Sequence, residues 1–287
     1  MQRSPRPQRA WCRKLVAPGA IVLLTGASVL IAAAPSSAQP RALPANLAKF
    51  ANCPVHVKAV SLCVFSSTTH TTFQIGSTTV SSTKPATISL GVVFKPSGAI
   101  KEVVLPDNGT SALESPSIPL PGGLTGIPGA GGGELAVTAT PQLVGTPTLS
   151  LANLLEAKGA GLTLPIDVLV STPTGLLGSD CTIGDAASPI TLNLTTGKTN
   201  PPSPNRPIKG ARGTLASKSD GEVIISGLKL VDNAYAVPAA HNCGPLGLAD
   251  PILDLDKGLP SAAGKNSAVL AGSSYTVPAS LIRKYLG

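Results

Sequence analysis

"LTLPIDVLV", residues 162–170, decides the fold. Leu162, Leu164, Ile166, Val168 and Val170 fall on one side of an extended chain, with Thr163, Pro165 and Asp167 on the other. Side chains alternate across a strand with period two, whereas a helix would repeat its apolar residues every three or four positions. The stretch therefore reads as a half-buried β-strand. "ISLGVVF" repeats the pattern with Ile88, Leu90, Val92 and Phe94, and "VSLCVF" (60–65) and "ELAVTAT" (134–140) follow it. "ITLNLT" turns Ile190, Leu192 and Leu194 inward and Thr191, Asn193 and Thr195 outward. Short alternating segments rich in Val, Ile and Thr belong to antiparallel sheets with one solvated face.

Turn chemistry agrees. "FQIGSTTV" (73–80) reads as a hairpin with Gly76-Ser77 at its turn. "TLASKSDGEVIISGLKL" (214–230) reads as a second, with Asp220-Gly221 as a tight primed turn. Helical signals are few. "SLANLLEAKG" (150–159) offers Ser150 as N-cap, Leu151, Leu154 and Leu155 on one face, and Gly159 past the end. "DPILDLDKG" (250–258) offers Asp250 as N-cap and Pro251 at the first helical position, and "LPANLAKFAN" (43–52) makes a third short helix. The expected class is mainly β: an antiparallel sandwich or partly open barrel with two or three short helices, stapled by disulfides. "SPSIPLPGGLTGIPGAGGG" (115–133) cannot form a regular element and reads as a loop. It marks either a boundary between two subdomains or an insertion in one. A single domain over 39–287 is expected, because neither half looks self-sufficient.

The chain opens with "MQRSPRPQRAWCRK" (1–14), five positive charges and no negative one. An apolar run, "LVAPGAIVLLTGASVLIAAA" (15–34), and the small-residue exit Ser36-Ser37-Ala38 follow. These are the three parts of a secretory signal peptide, with cleavage expected after Ala38. The rival reading is an uncleaved membrane anchor, which Pro18, Gly19 and Gly26 weaken. Removing residues 1–38 lowers the formal net charge from +8 to +3, because five of the 22 Lys and Arg and none of the 14 Asp and Glu lie there. A nearly neutral mature chain gives no footprint for nucleic acid. No second long apolar run exists, so no membrane span is expected after cleavage. The protein should be secreted, extracellular or loosely held at the cell envelope.

Four cysteines survive cleavage: Cys53, Cys63, Cys181 and Cys243. An even number in an exported chain reads as two disulfides. Three pairings are possible, and sequence neighbours suggest Cys53–Cys63 and Cys181–Cys243. Zinc is the competing reading, but its ligands usually sit two to four residues apart, and none here do.

Catalytic motifs are not found. The sequence has no GxSxG elbow, no HExxH, no strand-borne GxGxxG and no GxxxxGK[ST]. "GAGGG" (129–133) has no Lys and Ser/Thr behind it to hold a phosphate. The mature histidines are His56, His70 and His241, the last read as a loop residue beside Cys243. Asp250, Asp254 and Asp256 form the densest acidic cluster, either a calcium site or a helix cap with a solvated face; nothing around them matches a calcium loop. Glu134 and Asp167 could be nominated as a glycosidase pair only as any two carboxylates could. The mature chain holds no Trp and seven other aromatics, few for a sugar groove. No cofactor and no metal is expected. Asn108-Gly-Thr and Asn193-Leu-Thr fit the glycosylation sequon, but the leader and composition look bacterial. "NPPSPNRP" (200–207) lacks the donors of a central strand and should run extended over the surface.

"CTIGDAASPITLNLTTGKTNPPSPNRPIKG" (181–210), "LVDNAYAVPAAHNCG" (230–244) and "GLPSAAGKNSAVLAG" (258–272) together resemble uncharacterised secreted β-rich proteins of high-GC actinobacteria. "FANCP" (50–54) and the loop around "LPGG" are similar too. The resemblance implies a secreted, disulfide-bonded β protein, assigns no activity, and favours Cys181 with Cys243 as the main staple. In related sequences an aromatic often follows the first of these cysteines; here it is Thr182.

Three functions fit. The leading expectation is a non-catalytic structural or interaction protein of the cell exterior, acting on an unknown cell-surface or extracellular partner. The second is a carrier of an apolar small molecule or lipid, since 43% of residues are hydrophobic and only 3% aromatic. The third is an extracellular hydrolase of unknown type.

Overall fold

The structure is a computed structural model that describes residues 42–94, 101–106, 111–127 and 132–286. The leader, its cleavage point, the Asn108 sequon and residues 129–131 of the glycine run lie outside the described residues.

The strands are β1 (Leu62–Ile75), β2 (Thr78–Ser82), β3 (Ala86–Val93), β4 (Glu102–Val104) and β5 (Leu113–Glu114). Then come β6 (Ile118–Pro119), β7 (Thr138–Leu143), β8 (Thr148–Leu149), β9 (Leu162–Ser171), β10 (Thr182–Ile183) and β11 (Ile190–Leu194). β12 (Thr214–Ser217), β13 (Val223–Asp232), β14 (Ala240–His241) and β15 (Ser267–Pro278) complete the set. They form two antiparallel sheets. The first runs β12-β13-β15-β1-β3-β4, with β2 beside β1 and β5 beside β3. The second runs β14-β10-β9-β7-β6, with β8 and β11 also on β9. Neither path closes on itself, so the mainly β fold is a sandwich and not a closed barrel. Pro40–Gly287 clusters as one compact unit, and the first sheet takes strands from both sides of the 115–133 segment. The segment itself, read as a loop without a regular element, supplies the two-residue strand β6, which pairs with β7 at the edge of the second sheet.

The opening stretch is β9, the centre of the second sheet. Leu164, Ile166, Val168 and Val170 are buried against Ile88, Leu90 and Val92 of the first sheet. Pro165 survives mid-sheet for a local reason. Its carbonyl accepts from Val144 N at 3.1 Å, just past the end of β7 and before β8 begins. Its missing N–H therefore faces a gap in the ladder. β11 matches its reading from Ile190 to Leu194, with Ile190, Leu192 and Leu194 buried and Thr191 and Asn193 exposed, but Thr195, read as outward, is buried past the strand's end by its bridge to Val231. The Gly76-Ser77 hairpin forms as read, Ile75 opposite Thr78 and Gly76 at φ 56.

Other expectations are corrected. The Asp220-Gly221 turn has three residues, closed by Lys218 N donating to Glu222 O at 2.8 Å, with Gly221 at φ 85. "ELAVTAT" begins in a 3-10 turn at Glu134, and its strand starts at Thr138. Phe94 lies beyond β3 and is exposed. In β3 both faces are buried, because a third layer covers the first sheet. That layer is the 3-10 turn Ala45–Phe50 and a C-terminal helix that the sequence reading missed. With α1 (Leu151–Glu156) and α2 (Asp250–Lys257), that helix is α3 (Ala279–Leu286). Phe50, Val60, Cys63, Val277 and Ile282 are buried together beneath it. Ser150 caps α1 as expected, but Ala157, not Gly159, takes the left-handed position at its end, and Leu155 points to solvent.

Two polar anchors tie the layers. Glu222 is fully buried and accepts from Lys49 and Lys218 Nζ at 2.6 Å each. Burial alone would raise its pKa; the two ammonium groups outweigh that and hold it below the usual range. Buried Asn266 donates to the carbonyls of Tyr235 (2.9 Å) and Ala262 (3.1 Å) and accepts from Gly76 N (2.9 Å). The Pro-rich 200–207 segment does not run free. Asn205 Nδ2 donates to the carbonyls of Asn233 (2.9 Å) and Asn266 (2.8 Å), which folds it onto the sandwich.

Candidate functional site

The two sheets do not fill the space between them. At one end an apolar cavity of about 50 Å³ lies among Phe73, Ile75, Val80, Leu120 and Ile183. A second of about 40 Å³ adjoins it and shares Phe73, Ile118, Pro141, Ile166 and Leu192. A third of about 70 Å³ continues the line and shares Ala86, Leu113, Leu164 and Leu270 with the second. Together they form an interrupted slot. It follows β9 from Leu162 to Val168, roughly 20 Å at strand rise.

Such voids are costly. Their walls lose dispersion contacts, about 1–2 kcal/mol for each cavity of this size. They hold little polar chemistry to keep water. Two of the polar side chains at the first cavity, Tyr235 and Lys257, have internal partners. Tyr235 donates its hydroxyl to Gln74 O at 3.2 Å, and burial holds its pKa far above the usual value. Lys257 Nζ pairs with Asp256 at 2.5 Å and donates to Pro121 O at 3.2 Å. A guest would therefore be held by apolar contact along its length.

The outer face of the second sheet is the other notable surface. Thr138, Thr140, Gln142, Thr163, Thr182, Thr191 and Asn193 share it by strand alternation and register. Cross-strand pairs tie them, including Thr138 with Ser171 at 2.9 Å and Thr163 with Asn193 at 3.0 Å. Asp167 stands among them, 8% exposed, with no hydrogen-bond partner on Oδ1. Burial raises its pKa above the ordinary 3.8, with His241 opposing and Asp185 adding to the shift.

The sequence-chosen residues fall as follows. Cys53 bonds Cys63 and Cys181 bonds Cys243, with Cα separations of 5.6 and 4.2 Å. His56 and His70 are exposed on separate elements. His241 lies on β14, not in a loop, and its Nε2 sits 3.1 Å from Thr182 Oγ1 and 3.6 Å from Asp185 Oδ2. Both partners crowd one ring nitrogen. A nucleophile–base relay needs its carboxylate on the other. The acidic cluster is divided among structural tasks. Asp250 does not cap α2, whose N-cap is Ala249; its Oδ1 accepts from Cys243 N at 2.7 Å. Asp254 accepts from Ala240 N at 2.8 Å, and Asp256 pairs with Lys257. Among the described residues no three His, Cys, Asp or Glu side chains gather as metal ligands. Glu134 is exposed in its turn and is not paired with Asp167 by any sheet contact.

Among the described residues no helix is long and apolar enough to cross a membrane. No protein-family model, no curated protein and no solved structure matches the chain.

Proposed function

We propose that this chain is an exported, non-catalytic carrier that holds one linear apolar chain between its sheets. The leader 1–38 is removed, and residues 39–287 act outside the cell as one domain. The line of three cavities carries the reading. Its narrowness selects an unbranched hydrocarbon over a fused ring. Its length, roughly 20 Å, is enough to take a lipid acyl chain, which spans about 15 Å as half of a 30 Å bilayer core. A guest would restore the contacts that the empty walls forgo. Two disulfides fit the export.

Ala139 lines the first cavity and is buried. Ala139→Leu should fill that space without loss of melting temperature, while binding of a fluorescent fatty acid falls about tenfold or more. Unchanged affinity would rule the slot out as the binding site. A second reading, attachment to a hydroxyl-rich surface polymer, rests on the threonine-rich face. It predicts that the protein stays with washed cell envelopes when the slot is filled.

A further inference from the structure

Helix α2 turns two stripes in opposite directions. Ala249, Leu253 and Lys257 face the protein, and Leu253 and Lys257 are buried. Leu248, Ile252 and Leu255 recur at helical spacing on the other side and are exposed, Leu255 by 87%. Helical geometry reaches back to Leu248, so the outward stripe is continuous. Two residues before the stripe, Leu246 is wholly exposed and held at φ 56, a region that leucine avoids. A strained backbone that presents a bare leucine serves contact better than stability. At the far end Gly126 lies so close to Asp256 that a β-carbon would collide, which sets exposed Ile127 beside the last turn of α2. The ridge thus ends at the last turn of α2, whose Lys257 lines the first cavity together with Leu120 and Val80.

We propose that this ridge docks the protein on a lipid surface of no net charge, where the slot is loaded. The inference rests on the carrier reading, since an acyl chain insoluble in water has to be collected from a lipid phase. Composition narrows the partner. The ridge is aliphatic throughout, without the aromatic, Arg and Met residues that enrich protein interface cores. Residues 245–257 contain three Asp and one Lys, and that Lys is neutralised by Asp256. A surface so poor in free cations does not seek anionic headgroups.

The test is cosedimentation of the disulfide-intact mature protein with phosphatidylcholine vesicles. The unaltered protein should pellet with them, to the same extent at low and high salt. A variant carrying Leu246→Ser, Leu248→Ser and Leu255→Ser, all at exposed positions, should keep its melting temperature and lose about tenfold or more in partitioning. Unaltered protein that stays in the supernatant, or a variant that pellets equally, overturns the proposal. So does a concentration-dependent dimer that the variant abolishes without any vesicle binding, which makes the ridge a contact between copies. Fatty-acid binding measured without vesicles separates the two readings. Binding in solution with no docking removes the ridge alone; loss of both removes the carrier as well.

Discussion

Asp167 carries a carboxylate into a strand position where nothing among the described residues donates to Oδ1. Its folded pKa lies above the ordinary 3.8 because burial disfavours the charged form. Between the unfolded and the folded value the folded chain binds more protons, so stability falls as pH rises through that window. Asp167→Thr would continue the threonine face and remove the buried charge. It should raise the melting temperature near pH 7 by about 2–4 °C, on the order of 1 kcal/mol. The gain should vanish in acid below the unfolded pKa, where the carboxyl is neutral in both states. A melting series with equal gain at pH 3 and pH 7 would contradict this cause. The alternation placed Asp167 on the right face but not its burial, which depends on what the neighbouring strands and loops lay over that face. Asn266 was illegible for a similar reason. Its partners Gly76 and Tyr235 are distant in sequence.

Disulfides and strands were the legible elements. Cysteine spacing separated one short loop from one long one, and the two bonds span 10 and 62 residues. On the chain-entropy account the long loop contributes about 4 kcal/mol and the short one about 3. Replacing Cys181 and Cys243 with Ala should therefore lower the melting temperature by roughly 10 °C, and more than the Cys53/Cys63 pair does. An unchanged melting curve would show that the sandwich does not depend on the staple. Helices were harder to read. Leu248, Ile252 and Leu255 keep helical spacing, but so do Ala249 and Leu253, and periodicity alone does not say which stripe faces inward. α3 escaped notice because its eight residues carry two inward side chains, Ala279 and Ile282.

At the scale of the molecule, two sheets close on a shared apolar core that is interrupted by a line of small voids. Sequence patterning revealed the sheets, because alternation marks which residues turn inward. It could not reveal the slot, because packing depends on how opposing side chains mesh across the interface, and Ile166 or Leu192 reads the same in a solid core. The most direct test is native mass spectrometry of the unreduced mature protein from culture medium. The expected result is the chain mass less two hydrogens for each disulfide, plus a set of adducts spaced by methylene units that leave on activation. A bare protein mass that takes up no fatty acid on titration would contradict it.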